Sequence, residues 1–145
     1  MSDDTAPWHA HVYYEAWERD DTAPWHAHVY YEAWERDAAA ALRDRFAGMA
    51  DTAPVLFVGS MVDRPVGPHP IPQFEIHFPA SARAIVAEEI GKTGLRALIH
   101  PLTDDDLADH TKLAHWIGEP LDLDVSVLDP PGMNQGVARF GKSDF

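Results

Sequence analysis

Polar and apolar residues alternate through "WHAHVYY" at 25–31, placing His26, His28 and Tyr30 on one face of a strand and Ala27, Val29 and Tyr31 on the other. The period then changes. Across "EAWERDAAAALRDRFAGM", Trp34, Ala38, Leu42, Phe46 and Met49 recur at helical spacing, with Gly48 near the expected end. "APVLFVGSMV" (53–62) predicts a second strand. "DRPVGPHPIP" (63–72) carries four of the twelve prolines and must be loop, because proline fixes φ and removes backbone donors. "QFEIHF" (73–78) alternates again, with Phe74, Ile76 and Phe78 opposite Gln73, Glu75 and His77. "SARAIVAEEIGKTG" predicts a second helix stopping around Gly94. "LRALIHP" (95–101) then sets Leu95, Ala97 and Ile99 opposite Arg96, Leu98 and His100 on a fourth strand. Thr103, with Asp106 three residues on, predicts the cap of a third helix running to Gly118 and Pro120. The tail from Leu121 is expected to add one short strand and then fray.

The order β-α-β-β-α-β predicts an α+β, ferredoxin-like sandwich with an extra C-terminal helix. Helices should cover Val29, Phe74, Ile76, Phe78 and Ile99. The opposite sheet face then gathers His26, His28, Glu75, His77 and His100, side chains able to ligate metal from three strands.

One feature interrupts a simple reading. "DTAPWHAHVYYEAWERD" occupies residues 4–20 and returns unchanged at 21–37. The second copy runs straight into "AAAALRDRF", giving the short strand-to-helix link such units need. Residues 1–20 are therefore expected to be a redundant copy outside the fold, 21–128 the folded domain, and 129–145 a tail. Deleting 4–20 should leave fold and metal content intact, whereas the spare copy is an aggregation hazard at exposed sheet edges.

Charge narrows the function. Eleven basic against 24 acidic residues leave a net −13, which repels phosphate backbones and makes nucleic acid an unsuitable partner. No apolar run reaches the ~18–20 residues of a membrane span, and "MSDDTAPWH" lacks the basic start and apolar stretch of a signal peptide. With no cysteine, a cytoplasmic location is expected. Any metal must then be held by imidazole and carboxylate, which favours an exchangeable catalytic site over a closed structural one.

Nine histidines are available; two belong to the spare copy. His26 and His28 lie roughly 6.5–7 Å apart along their strand from the ~3.3 Å rise. That suits two ligands, or one ligand and one acid/base group; the alternative is a merely polar strand face. Glu75 and His77 favour a site, because charge rarely points inward on a sheet unpartnered. His69, between prolines in "GPHP", is either an exposed loop residue or a preorganised group at a pocket rim. His100 ends the fourth strand, where loops meet the open face. His110 falls in register with Leu107, Ala114 and Ile117, as a core or a supporting histidine; His115 lies off that face.

"WHAHVYY", "GPHPIPQFEIHF", "LIHPLTDDDLADHT" and "WIGEPLDLD", in this order and spacing, resemble the DOPA 4,5-dioxygenase family over about residues 21–128. The resemblance implies a ferredoxin-like, often dimeric protein that cleaves catechols such as L-DOPA in extradiol fashion with non-haem Fe(II) and O₂. That chemistry needs iron with open positions, commonly held by two histidines and one carboxylate, and a nearby group with a pKa near working pH. The expected ligands are His28, Glu75 and His100, with His26 or His69 as acid/base and His110 orienting one of them. An all-histidine site using His69, with Glu75 behind it, is the alternative. Tyr30 is expected to donate a hydrogen bond to substrate or oxygen. His77 and Arg96 are expected to bind substrate, Arg96 by meeting a carboxylate. The rival readings are another metal-dependent enzyme, a hydrolase or isomerase, and a non-catalytic dimeric module for a small aromatic ligand.

Overall fold

The computed structural model describes residues 21–49 and 55–141. The first repeat copy, and the expectation that it lies outside the fold, fall outside the described residues. The second copy supplies β1 (Pro24–Tyr30), the middle strand of a five-stranded antiparallel sheet. β1 pairs on one side with β3 (Gln73–Pro79) and on the other with β4 (Arg96–Pro101). β2 (Phe57–Val58) flanks β3, and β5 (His115–Ile117) flanks β4, giving the order β2-β3-β1-β4-β5. The first four strands thus have the split arrangement of a ferredoxin-like sheet.

Helices α1 (Arg36–Ala47) and α2 (Arg83–Gly91) lie on one face of it. Leu42 and Phe46 from α1, and Val86 and Ile90 from α2, form one buried cluster with Val29, Phe74, Ile76, Phe78 and Ile99. That is the apolar face expected from the alternation. The pairing also has a functional consequence. His26 stands opposite His77 on one side and His100 on the other, so three imidazoles form a single row across the sheet.

The start of the first helix departs from expectation. Residues Ala33–Glu35 form a 3₁₀ turn before α1, and Trp34 is 82% exposed. The tighter turn rotates the helix that follows, so its buried face is Ala39, Leu42 and Phe46, while Ala38 is exposed. Phe46→Ala is therefore expected to cost about 3–5 kcal/mol through the cavity it leaves. Trp34→Ala should stay within about 0.5 kcal/mol, as for a plain surface change. Urea denaturation of the two variants checks both.

The second strand is short. Only Phe57–Val58 joins the ladder, followed by a bridge from Val62 to Gln73; residues 50–54 fall outside the described residues.

The third helix differs most. α3 spans only Asp106–His110, and Asp105, not Thr103, caps it by accepting from the Ala108 N–H at 3.0 Å. Thr103 instead gives its hydroxyl and backbone N–H to the Asp109 carboxylate, at 2.6 and 2.9 Å. Past Thr111 the chain turns into β5, with Ile117 opposite Ala97 and His115 opposite Ile99. A continued helix would have left that edge of β4 with unpaired backbone groups; "HWI" covers it. Gly118, at φ +78°, then turns the chain where a Cβ would press on the Arg96 side chain at 3.1 Å.

The tail adds no strand among the described residues. It forms a 3₁₀ turn at Val125–Val127 and a short helix α4 (Gln135–Ala138). Asn134 ties it down, donating to Thr103 O at 2.7 Å and to the Asp109 carboxylate at 2.9 Å. Burial pushes the Asp109 carboxyl up to about 6, against the opposing pull of the Thr103 bonds. Among the described residues, no helix is long and apolar enough to cross a membrane.

Candidate metal centre and cavity

The sheet face opposite the helices is covered, not open. His26, His28, His69, Glu75, His77, His100 and His110 are all buried there. Buried polar groups need partners, and the partners of these imidazoles define their protonation.

His100 Nδ1 lies 2.7 Å from the Pro101 carbonyl, which can only accept, so Nδ1 carries the proton and Nε2 a lone pair. His28 Nδ1 lies 3.0 Å from Gln73 Oε1 and donates to it, leaving its Nε2 in the same state. The two Nε2 atoms face each other at 3.1 Å. Lone pairs at that distance repel unless a proton or a cation stands between them. Burial first, and neighbouring imidazoles second, hold His28 and His100 well below the usual histidine range, which disfavours the proton. A metal ion is the better occupant.

His26 completes the group: ligand atoms of His26, His28 and His100 all lie within 4.8 Å of one another. Its Nε2 is buried without a hydrogen-bond partner, and its Nδ1 is 3.8 Å from Glu75 Oε2. His28 and His100 thus give Nδ1–H to an oxygen, of Gln73 and Pro101, as metal-ligating histidines do, while His26 Nδ1 faces Glu75 beyond hydrogen-bond distance.

His26 also groups with Glu75 and His77. There the chemistry is less suited to a metal. His77 Nδ1 accepts from the Gly141 N–H at 2.8 Å, so its proton sits on Nε2, 3.5 Å from Glu75 Oε2. His77 therefore turns an N–H toward Glu75 without forming a hydrogen bond to it. Its ring stacks on His26, with centroids 3.8 Å apart.

The expected site residues are distributed as follows. His28 and His100 are brought together, and the third imidazole beside them is His26; Glu75 stands between His26 and His77. Tyr30 reaches His69, its hydroxyl 2.6 Å from Nδ1. Burial raises the Tyr30 pKa, so the phenol keeps its proton. Imidazole nitrogen is a better acceptor than phenol oxygen, so Tyr30 donates and His69 carries its proton on Nε2, the tautomer opposite to that of the three grouped histidines. The His69 ring is 4.1 Å from that of His28.

His110 packs 4.3 Å from the His100 ring. Burial favours its neutral form, but Asp106 outweighs this and raises its pKa, through a backbone carbonyl at 2.8 Å and a carboxylate at 3.3 Å. Arg96, expected to bind substrate, instead pairs with Glu32 at 3.0 Å and does not line the cavity beside the imidazoles. His115 is exposed.

That cavity, of about 200 Å³, is bounded by His28, His69, His100 and His110 on the sheet side and by Asn134 and Arg139 on the tail side. Gln73, Asp106 and Arg139 were not anticipated. Gln73 carried a signal, since it shares the face of Glu75 and His77; the other two depend on how the chain folds back.

Comparison with known proteins places this geometry. The chain matches the model of the Dopa 4,5-dioxygenase family over residues 25–127. A DOPA 4,5-dioxygenase from Amanita muscaria is 35% identical over 134 residues, covering 88% of this chain and 52% of the relative. An uncharacterized 21.2 kDa protein from Botryotinia fuckeliana is 35% identical over 85 residues, 52% of this chain and 46% of that one. The chain spans about half the length of these curated relatives. A crystal structure from Nostoc punctiforme, described as a candidate dioxygenase, matches with a TM-score of 0.65 at 33% identity, covering 74% of this chain and 91% of that one. The family match takes in β1 from Trp25 onward, the other four strands and every buried histidine named above, and the chain belongs to the Dopa 4,5-dioxygenase family.

Proposed function

We propose that the protein is an extradiol dioxygenase that opens the ring of a catechol such as L-DOPA, using non-haem Fe(II) and O₂. The observation that carries this is the facing pair of His28 and His100 Nε2 atoms, each ring giving its Nδ1–H to an oxygen, with His26 beside them. His26, His28 and His100 hold the iron in this reading, oriented by Glu75, Gln73 and the Pro101 carbonyl. Bound iron would supply coordination positions for catechol and O₂ and a path for electron density from ring to oxygen.

The chain's own groups manage position and protons. His69, with its proton on Nε2, acts as a donor toward the oxygen atoms of the reacting molecule, and Tyr30 keeps it in that tautomer. His110 has Asp106 behind it and is suited to hold a proton against developing negative charge.

Anaerobic loading with Fe(II), then a panel of catechols with O₂ uptake followed, tests the reading. One O₂ consumed per catechol, with a yellow semialdehyde-type product, is expected. Conversion without O₂ uptake would instead make the protein a hydrolase or isomerase. Binding with neither conversion nor uptake would leave a ligand-binding module.

A further inference from the structure

The tail reaches the imidazole row at its far end. Asn134 holds the segment through Thr103 and Asp109, and the Gly141 N–H donates to His77 Nδ1 at 2.8 Å. Between these anchors, Phe140 lies nearly parallel to two imidazoles. Its ring is 11° from that of His77 and 18° from that of His26, with centroids 5.7 and 6.4 Å away. His26 and His77 are themselves stacked, 10° apart in plane and 3.8 Å between centroids. Phe140, His77 and His26 therefore form one offset stack, and His26 is the member that reaches the metal centre.

The hydrogen bond from Gly141 adds a second constraint. It occupies the lone pair on His77 Nδ1 and so fixes the proton on Nε2, which points at Glu75 Oε2 from 3.5 Å. The same carboxylate oxygen lies 3.8 Å from His26 Nδ1. In its other tautomer His77 would set a lone pair against that oxygen, and repulsion would drive the carboxylate from its place behind His26. Phe57 also packs against His77, at 4.7 Å between centroids, so the location of the ring does not depend on the tail alone. Its tautomer is what the Gly141 bond decides.

We propose that Phe140 and Gly141 are positioning residues for the metal centre. Phe140 fixes the plane of the His26 ring, and the Gly141 N–H, through the His77 tautomer, keeps Glu75 behind it. This rests on the reading of His26, His28 and His100 as ligands. Both residues lie beyond residue 127, where the family match ends, so the matched motifs do not by themselves orient this ligand.

The test adds Co(II) anaerobically to the metal-free full-length chain, because its visible bands report ligand geometry and no turnover is needed. Phe140→Ala should weaken Co(II) binding about tenfold, the lower end of what a partner behind a ligand contributes, and shift the bands. Phe140→Tyr, which keeps the ring, should restore both. Phe140→Leu fills the space without a ring; it should behave as Phe140→Ala, and it decides the matter if the alanine variant does not fold. Gly141→Ala adds a Cβ that meets nothing within 4 Å at a φ of +81°, which alanine disfavours, so it disturbs the backbone anchor alone. ¹⁵N shifts of the metal-free protein should show His77 with its proton on Nε2, and should show that form lost in Gly141→Ala. Urea midpoints that fall with affinity and bands unchanged would reduce Phe140 to a support of the tail and overturn its role. A proton on His77 Nδ1 in the unaltered protein would overturn that of Gly141. If the unaltered protein binds no Co(II), the ligand reading fails and the proposal goes with it; the tautomer measurement needs no metal and separates that failure from a misplaced tail.

Discussion

In a chain lacking residues 4–20, alanine at His28 or His100 is expected to remove bound metal and turnover together, with a loss of metal affinity well beyond about 100-fold, because each variant leaves the facing nitrogen without its partner. His26→Ala should behave alike. Glu75→Gln separates the two ligand sets. If Glu75 orients His26 without touching the ion, metal affinity falls by about 10–100-fold, the usual scale for an orienting partner. If Glu75 is itself a ligand, its loss matches that of His28→Ala and the His26, His28, His100 assignment is wrong. Metal content after dialysis against a graded chelator reads the difference.

Acid should unfold the metal-free protein over a narrow range. Burial, before any other cause, holds His26, His28, His69 and His100 well below their usual range. In the unfolded chain they titrate near ~6.5. Below that pH the unfolded state takes up protons the folded state refuses, so stability present above 6.5 is lost as pH falls. Each such group contributes about 1.4 kcal/mol per pH unit, and four together about 5–6. Asp109 acts in the opposite sense: its carboxyl is raised to about 6, so its contribution is present in acid and lost as pH rises through that value. His110, whose pKa Asp106 raises, acts in that same sense, and two groups against four slow the fall without reversing it. Since a domain of this size has only about 5–15 kcal/mol to lose, one to two pH units below 6.5 should suffice. Urea midpoints from pH 7.5 to 5.5 should drop steeply; a flat profile would mean that the imidazoles already carry charge in the folded state.

The strand faces were legible because a period of two assigns each side chain to a side. His26, His28, Glu75, His77 and His100 all lie on the face the alternation predicted. Which of them meet was not legible. That depends on the register between strands, where His26 falls opposite both His77 and His100 while His28 falls opposite Glu75 and Leu98. Alternation within one strand carries no information about its neighbour's offset. Arg96 shows the same limit: it has the right face but the wrong end of β4, where Glu32 waits. The segment "HWI" sits in helical register with the residues before it, and only the empty edge of β4 made it a strand. Arg139 had no local signal, because its place is set by anchors at His77, Thr103 and Asp109, far away in the chain.

Because β1 is the middle strand and its text occurs twice, the sequence holds a second copy of the strand on which the whole sheet depends. Residues 4–20 are identical in sequence to the copy that forms the strand, so an exchange of the two would set His9 and His11 at the positions of His26 and His28. The exchange would loop out seventeen residues, costing about 2.5 kcal/mol in closure entropy by the (3/2)RT ln n rule, plus the lost link into α1. That is comparable to the damage of one severe mutation in the strand. Single variants at His26 or His28 are therefore read cleanly only in a chain lacking residues 4–20, and in the full-length chain partial retention of metal is the signature of the reserve copy at work.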